Sequence, residues 1–370
     1  MCVTELRGKM ILLGKGMERN MKIGIMTFQD ANNYGAVLQA YALNRKINAY
    51  EKCEIINYYN NYFHRNDRPR GIKSILLYFL HLRDIKRKNA EFDEFRKNYL
   101  KLSSDYIYDK DLDGLNSVYG VFVSGSDQVW NLFCSGNNDA YFLDFVKNND
   151  SKSSFSASFG TMNPELDEKH LNYIKSFNHI GVREKSGYEY LFKNKIKATK
   201  TSDPVFLLNL DEWKELTNKI DEEYILVYEV VNGVNMIDFA KKLSKETGYK
   251  VKVITSTNKP ISGVEAIKNT GPLTWLSLFH NAKYVVTNSF HGLAFSLIFN
   301  KQFFIELLST SNSSSNNRMI EILDEYGLKD RIIAQGDNCS YDDIDYQPVN
   351  NKMSILRKES IQYIESILGK

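Results

Sequence analysis

The chain has 370 residues, more than one hydrophobic core of ordinary size accommodates, so two domains are expected. Hydrophobic residues make up 43% and charged residues 25%, the balance of a soluble globular protein, and a net charge of +3 is too small to argue for nucleic acid. The 23 Tyr and 21 Phe lean toward ring-lined surfaces of the kind on which sugars stack, although most of these rings must be core.

Residues 1–20 contain one short apolar run, Met10 to Leu13, too brief for the core of a signal peptide, and read as a dispensable extension. "MKIGIMTF" (21–28) predicts the first strand and "NNYGAVLQAYALNRKI" (32–47) a helix, with Ala36, Ala40, Leu43 and Ile47 on one face. "CEIINY" (53–58) predicts a second strand, followed by a long helix around 84–99. "VYGVFVSG" (118–125) and "SSFSASFG" (153–160) read as further strands, and "HIGVREKSGYEYLF" (179–192) as a strand running into a helix. After Asp203-Pro204 a polar stretch predicts a linker over 206–222. The pattern then restarts: strand "YILVYEV" (224–230), a helix near 234–247, strand "KVKVIT" (250–255) and helix "PLTWLSLFHNA" (272–282). Tyr284 to Val286 reads as a buried strand and Leu293 to Phe299 as a helix. The tail 351–370 is periodic and is expected to pack back on the first domain.

Strands alternating with helices predict mostly parallel sheets covered on both faces. The expected class is α/β and GT-B-like: two Rossmann-like doubly wound domains, 21–205 and 223–350, facing each other across an interdomain cleft.

Ligands in such folds bind at the carboxyl ends of strands, so four loops draw attention. In "FQDANNYGAVLQA" (28–40), Asn33 or Tyr34 precedes Gly35 where a helix begins with free N–H groups, either an anion or hydroxyl binder or a plain capped turn. In "SGSDQVWN" (124–131), Ser126 brings backbone close to a ligand and Asp127 suits hydrogen bonds to sugar hydroxyls or the role of a base. The competing reading makes Asp127 a local turn acceptor, and Trp130 is either a stacking face or core. In "GVREKSG" (181–187), Arg183 near a helix start suits a carboxylate or phosphate, or is a surface ion pair. In "TNSFHG" (287–292), Ser289 and His291 lie where helix N–H groups converge, with Asn288 placed to orient an imidazole able to give and recover a proton near neutrality. Lys301 reads as a solvated helix end.

Cys2, Cys53, Cys134 and Cys339 are scattered without CxxC spacing, which argues against zinc and redox motifs and fits a reducing, cytoplasmic compartment. No Walker loop and no G-x-G-x-x-G fingerprint is present, and no metal site or cofactor is expected. Residues 64–88 hold eight Lys and Arg against two Asp around "SILLYFLHL", either a partly buried helix with a basic end or a surface for an anionic membrane.

The blocks "IGIMTFQDANNYGAVLQAYAL", "VSGSDQVWN", "VREKSG", "SDPVFLL" and "VTNSFHGLAFSLIFNKQF" occur in this order, and together resemble the polysaccharide pyruvyl transferase family over roughly residues 22 to 305. The resemblance implies phosphoenolpyruvate as donor and a pyruvyl ketal on two hydroxyls of a sugar, in a surface polysaccharide or its lipid-linked precursor. It carries His291 into the role of general acid or phosphate stabiliser and Arg183 into contact with the donor anion, with Ser289 beside them. Asn33, Tyr34, Ser126 and Asp127 would face the acceptor. Two other functions compete: a GT-B glycosyltransferase using a sugar nucleotide, and a non-catalytic glycan- or lipid-binding protein.

Overall fold

The computed structural model describes residues 22–66, 72–230, 233–255, 261–268, 270–308, 316–333 and 341–370, without the side chains of 64–66 and 72–81. The expected extension 1–20 lies outside the described residues, as does much of the basic segment 64–88.

The first half is a six-stranded sheet made of β1 (Ile23–Met26), β2 (Cys53–Ile55), β3 (Val121–Ser124), β4 (Lys152–Ala157), β5 (His179–Val182) and β6 (Thr199–Lys200). Every pair is parallel, in the order β2-β1-β3-β4-β5-β6. Around it lie α1 (Tyr34–Ile47), α2 (Asn61–Asn66), α3 (Ile72–Tyr99), α4 (Leu132–Ser135), α5 (Glu168–Lys175) and α6 (Lys185–Lys193). The short α7 (Leu210–Lys214) leads into a second parallel sheet of β7 (Tyr224–Tyr228), β8 (Lys250–Thr255), β9 (Glu265–Lys268), β10 (Tyr284–Thr287) and β11 (Gln302–Ile305), ordered β11-β10-β7-β8-β9. Its helices are α8 (Met236–Thr247), α9 (Pro272–Asn281), α10 (Phe290–Ile298), α11 (Asn316–Tyr326) and α12 (Tyr346–Ile367).

The apolar runs decide this layering. All residues of β1, β3, β7 and the last three of β10 are buried, as strands covered on both faces must be. In each sheet the strand order reverses beside the first strand, between β1 and β3 and between β7 and β10, which opens a crevice at the carboxyl ends. Helices α1 and α10 begin at those two crevices.

Three departures from the sequence reading concern packing. The stretch 206–222 is no bare linker: it carries α7, and Trp213 is fully buried, its indole donating to the Val205 carbonyl at 3.0 Å and lying edge-on to Phe295. Helix α3 is longer than the periodic segment 84–99, and β9, β11 and α11 were not anticipated. The halves also share core: the largest apolar cluster runs from Ile25 and Tyr34 through Trp213 to Trp275 and Phe295. Helix α12 crosses both halves, the Tyr346 hydroxyl donating to the Lys301 carbonyl and the Tyr363 hydroxyl to Ser154 O at 3.1 Å. Among the described residues no helix is long and apolar enough to cross a membrane.

Candidate active site

The two helix starts that face each other build the site. Asn33 caps α1, its Oδ1 accepting from Ala36 N at 3.1 Å, and Ser289 caps α10, its Oγ accepting from Gly292 N at 3.2 Å. His291 and Gly35 are the second residues of their helices, and they touch. A Cβ built on Gly35 would sit 2.0 Å from His291 Nδ1 and 2.3 Å from Cε1, so the imidazole occupies the space a side chain would need. That contact explains a glycine inside a helix, where it otherwise costs about 1 kcal/mol against alanine.

Around this contact lies a cleft of about 400 Å³ between the halves. Asn33, Asp127 and Phe133 line it from the first half, and Ser289, His291 and Arg318 from the second. Nε2 of His291 has no hydrogen-bond partner among the described residues and lies 3.6 Å from Asp203 Oδ2, slightly beyond hydrogen-bond reach. Asp203 is buried and charged. Burial opposes its ionisation, but His291 and Arg183 outweigh burial and hold the carboxyl well below the usual carboxylate range.

Arg183 shares Asp203 with His291 but does not open onto the cleft. Its Nη1 meets Asp203 Oδ2 at 2.7 Å, Nε meets Glu184 Oε1 at 3.1 Å and Nη2 donates to Ser158 Oγ at 2.8 Å. Burial works against its charge, while Glu184, Asp203 and Asp127 raise its pKa and keep it protonated. It lines a smaller cavity of about 220 Å³ behind Phe290. Arg183, expected at the donor anion, has its fork engaged by Asp203, Glu184 and Ser158.

Among the described residues a cation that does line the cleft is Arg318 on α11, which also borders the smaller cavity and which sequence reasoning missed. It is buried, its guanidinium stands 5.2 Å from the Phe290 ring centre, and its Nε has no hydrogen-bond partner among the described residues. Burial and the neighbouring Arg183 both push its pKa down. The available signal was its spacing: Arg318 and Met319 precede Ile322 and Leu323 on one helix face, an arginine on an otherwise apolar stripe.

The acceptor-side residues divide. Asn33 and Asp127 line the cleft; Asp127 adopts φ +74° and its Oδ1 accepts from Gln128 N at 2.9 Å, so the turn reading and a place in the cleft wall coexist. Tyr34 is corrected. It packs between the halves, stacked on Trp275 at 5.4 Å with its hydroxyl donating to Thr270 O at 2.8 Å, and burial pushes the phenol up to about 12. Ser126, also expected at the acceptor, is not among the lining residues either; its hydroxyl is fully buried and donates to Ser156 O at 2.8 Å. Trp130 is core, stacked on Phe142. Lys301 lies away from the cleft and is half-buried rather than solvated.

A family model described as polysaccharide pyruvyl transferase matches residues 33–306. Among solved structures, a putative UDP-N-acetylglucosamine 2-epimerase from Listeria monocytogenes is similar with a TM-score of 0.50 and 10% identity, over 93% of this chain and 90% of that one. The UDP-GlcNAc 2-epimerase of Neisseria meningitidis, bound to UDP-GlcNAc, gives a TM-score of 0.50 at 9% identity over 94% of each chain. At such identities the likeness concerns the fold alone, which is GT-B. No curated protein matches the sequence.

Proposed function

The chain belongs to the polysaccharide pyruvyl transferase family, and from that premise we propose that it moves a pyruvyl group from phosphoenolpyruvate onto two hydroxyls of a glycan sugar, closing a ketal. The acceptor is a surface polysaccharide or its lipid-linked precursor. One observation carries this reading: Arg318 Nε is buried with no hydrogen-bond partner among the described residues, and its side chain lines the same cleft as His291 at the start of α10. Buried polar atoms are nearly always paired, so such atoms mark a place for a ligand.

The donor brings a carboxylate and a phosphate. Arg318 and the α10 start would hold the anionic groups, Arg318 through charge-assisted hydrogen bonds. His291 gives its Nε2 proton to the methylene carbon, which becomes the methyl group. The first acceptor hydroxyl bonds to the adjacent carbon, and its proton restores the imidazole. The second hydroxyl then displaces phosphate, which departs with the remaining proton. Asp127 and Asn33 would receive the acceptor hydroxyls. Asp203 holds the imidazole in place, and Arg183 holds Asp203, which makes Arg183 a positioning residue in this scheme.

A sugar-nucleotide transferase is less well supported. The loop ahead of α8 already holds an internal carboxylate, Glu306, whose Oε1 accepts from Val234 N at 3.2 Å and Asn235 N at 2.9 Å. The test combines phosphoenolpyruvate and candidate glycans, reading phosphate release and a new ketal methyl signal by NMR. Phosphoenolpyruvate should raise the melting temperature more than UDP-GlcNAc does. Failure to bind phosphoenolpyruvate in calorimetry refutes the proposal. Full cellular function of His291→Ala would favour a non-catalytic glycan-binding protein.

A further inference from the structure

Trp130 lies in the core, yet a neighbouring ring does what a stacking residue should. Phe133 is 83% exposed at the mouth of the cleft. It is also a wall of an open groove of about 240 Å³ next to the cleft. Trp130, Phe159 and Leu166 form the apolar part of that groove, and Thr161, Asn163 and Glu165 its polar part.

The ring is held in water by a fixed support. Asn131 Oδ1 accepts from both Phe133 N and Cys134 N at 3.1 Å, while its Nδ2 donates to Phe159 O at 2.9 Å. The short helix ends at Gly136, with φ +73°, where a Cβ would lie 2.5 Å from the Tyr62 ring. Both ends of the segment are thus pinned, one to the strand-end loop at Phe159 and the other against α2. A lone exposed ring is ordinary on a protein surface, but this one stands where the cleft and the groove meet. A flat ring beside hydrogen-bonding side chains matches a pyranose, which has apolar C–H faces and a rim of hydroxyls.

We propose that the groove beside Phe133 is a glycan subsite, which holds the sugar unit next to the one that enters the cleft. The proposal rests on reading the cleft as a glycan-modifying site. The occupant follows from continuity: Phe133 walls both spaces, so a chain with one unit in the cleft lays its neighbour on that ring. The protein therefore discriminates oligosaccharides from single sugars, and does so before any chemistry.

The test uses the full chain on an immobilised array of pyranose mono-, di- and trisaccharides, without donor. Wild type should retain some di- and trisaccharides better than their single units. Phe133→Ala should lose about fivefold in that retention, the usual size of one aromatic contact, while Phe133→Trp keeps it. An unchanged melting temperature for both variants, expected for an exposed side chain, separates lost binding from lost folding. Equal retention by wild type and Phe133→Ala, or no wild-type preference for the longer glycans, overturns the subsite. The two proposals fail separately. If phosphoenolpyruvate does not bind but Phe133-dependent retention holds, pyruvyl transfer falls and the subsite stands; donor turnover without that retention has the opposite meaning.

Discussion

Gly35→Ala is the sharpest single perturbation of the site. The new methyl carbon would lie 2.0 Å from His291 Nδ1. Van der Waals contact needs about 3.5 Å, so the imidazole must retreat by about 1.5 Å or the halves must part. Helix propensity pulls the other way, favouring alanine by at most about 1 kcal/mol, and less in the first turn. The net effect on folding is therefore small, while the effect on chemistry is large. A displacement of about 1 Å from the productive geometry costs on the order of 100-fold in rate. The assay is phosphate release with phosphoenolpyruvate and a glycan, paired with donor affinity by calorimetry. Turnover should fall roughly 100-fold, with donor affinity, carried by Arg318, changing only a few-fold. In a His291→Ala background the clash is gone, so Gly35→Ala should add no further loss and should not lower the melting temperature. A Gly35→Ala protein within about threefold of wild-type turnover would refute the reasoning, because the imidazole would then have moved without consequence.

Three other outcomes are expected. Arg318→Met keeps the volume and removes the charge, so phosphoenolpyruvate should bind about 10- to 100-fold more weakly in calorimetry, as for lost hydrogen bonds to a charged group. An unchanged Kd removes Arg318 from the donor site. Trp213→Ala opens a cavity in shared core and should cost about 3–5 kcal/mol in urea unfolding, whereas a loss below about 1 kcal/mol would mean that the connecting stretch is not packed as described. Burial, with Lys283 and Lys214, pushes the Lys301 amine down to about 8. The unfolded lysine titrates near 10.4, so between about pH 8 and 10.4 the unfolded chain holds more protons and wild-type stability rises with pH. Lys301→Met should thus be more stable than wild type at pH 7, and the advantage should shrink toward pH 9.5; a constant difference in urea unfolding across that range contradicts the assignment.

The divide between what could be read in advance and what could not follows the range of the interactions. Short-range rules located β1, α1, β5, β7, α8, β8 and α10, because apolar spacing and the caps Asn33 and Ser289 are set by neighbours within a few residues. β11 follows almost directly on the apolar α10, β9 is part-exposed, and α11 opens on polar residues. The four loops were also found at strand ends, since a parallel sheet leaves its ligand-facing turns there.

Which side chains turn into the cleft was a different matter. Tyr34 and Asn33 are adjacent in the chain, yet Asn33 lines the cleft while Tyr34 stacks on Trp275 of the other half. In the sequence Arg183 suited an anion or an ion pair alike; only the fold brings Asp203, Glu184 and Ser158 to its fork and packs Arg318 against Phe290. The sequence by itself determined the alternation of strands and helices through most of the chain, the family and the presence of a histidine at a helix start. Tertiary structure alone decided that this histidine fits against Gly35, faces Asp203 and shares its cleft with Arg318. The physical reason is that periodicity and capping are enforced by the local backbone, whereas the partners of a buried charge are fixed only when distant segments pack and exclude water.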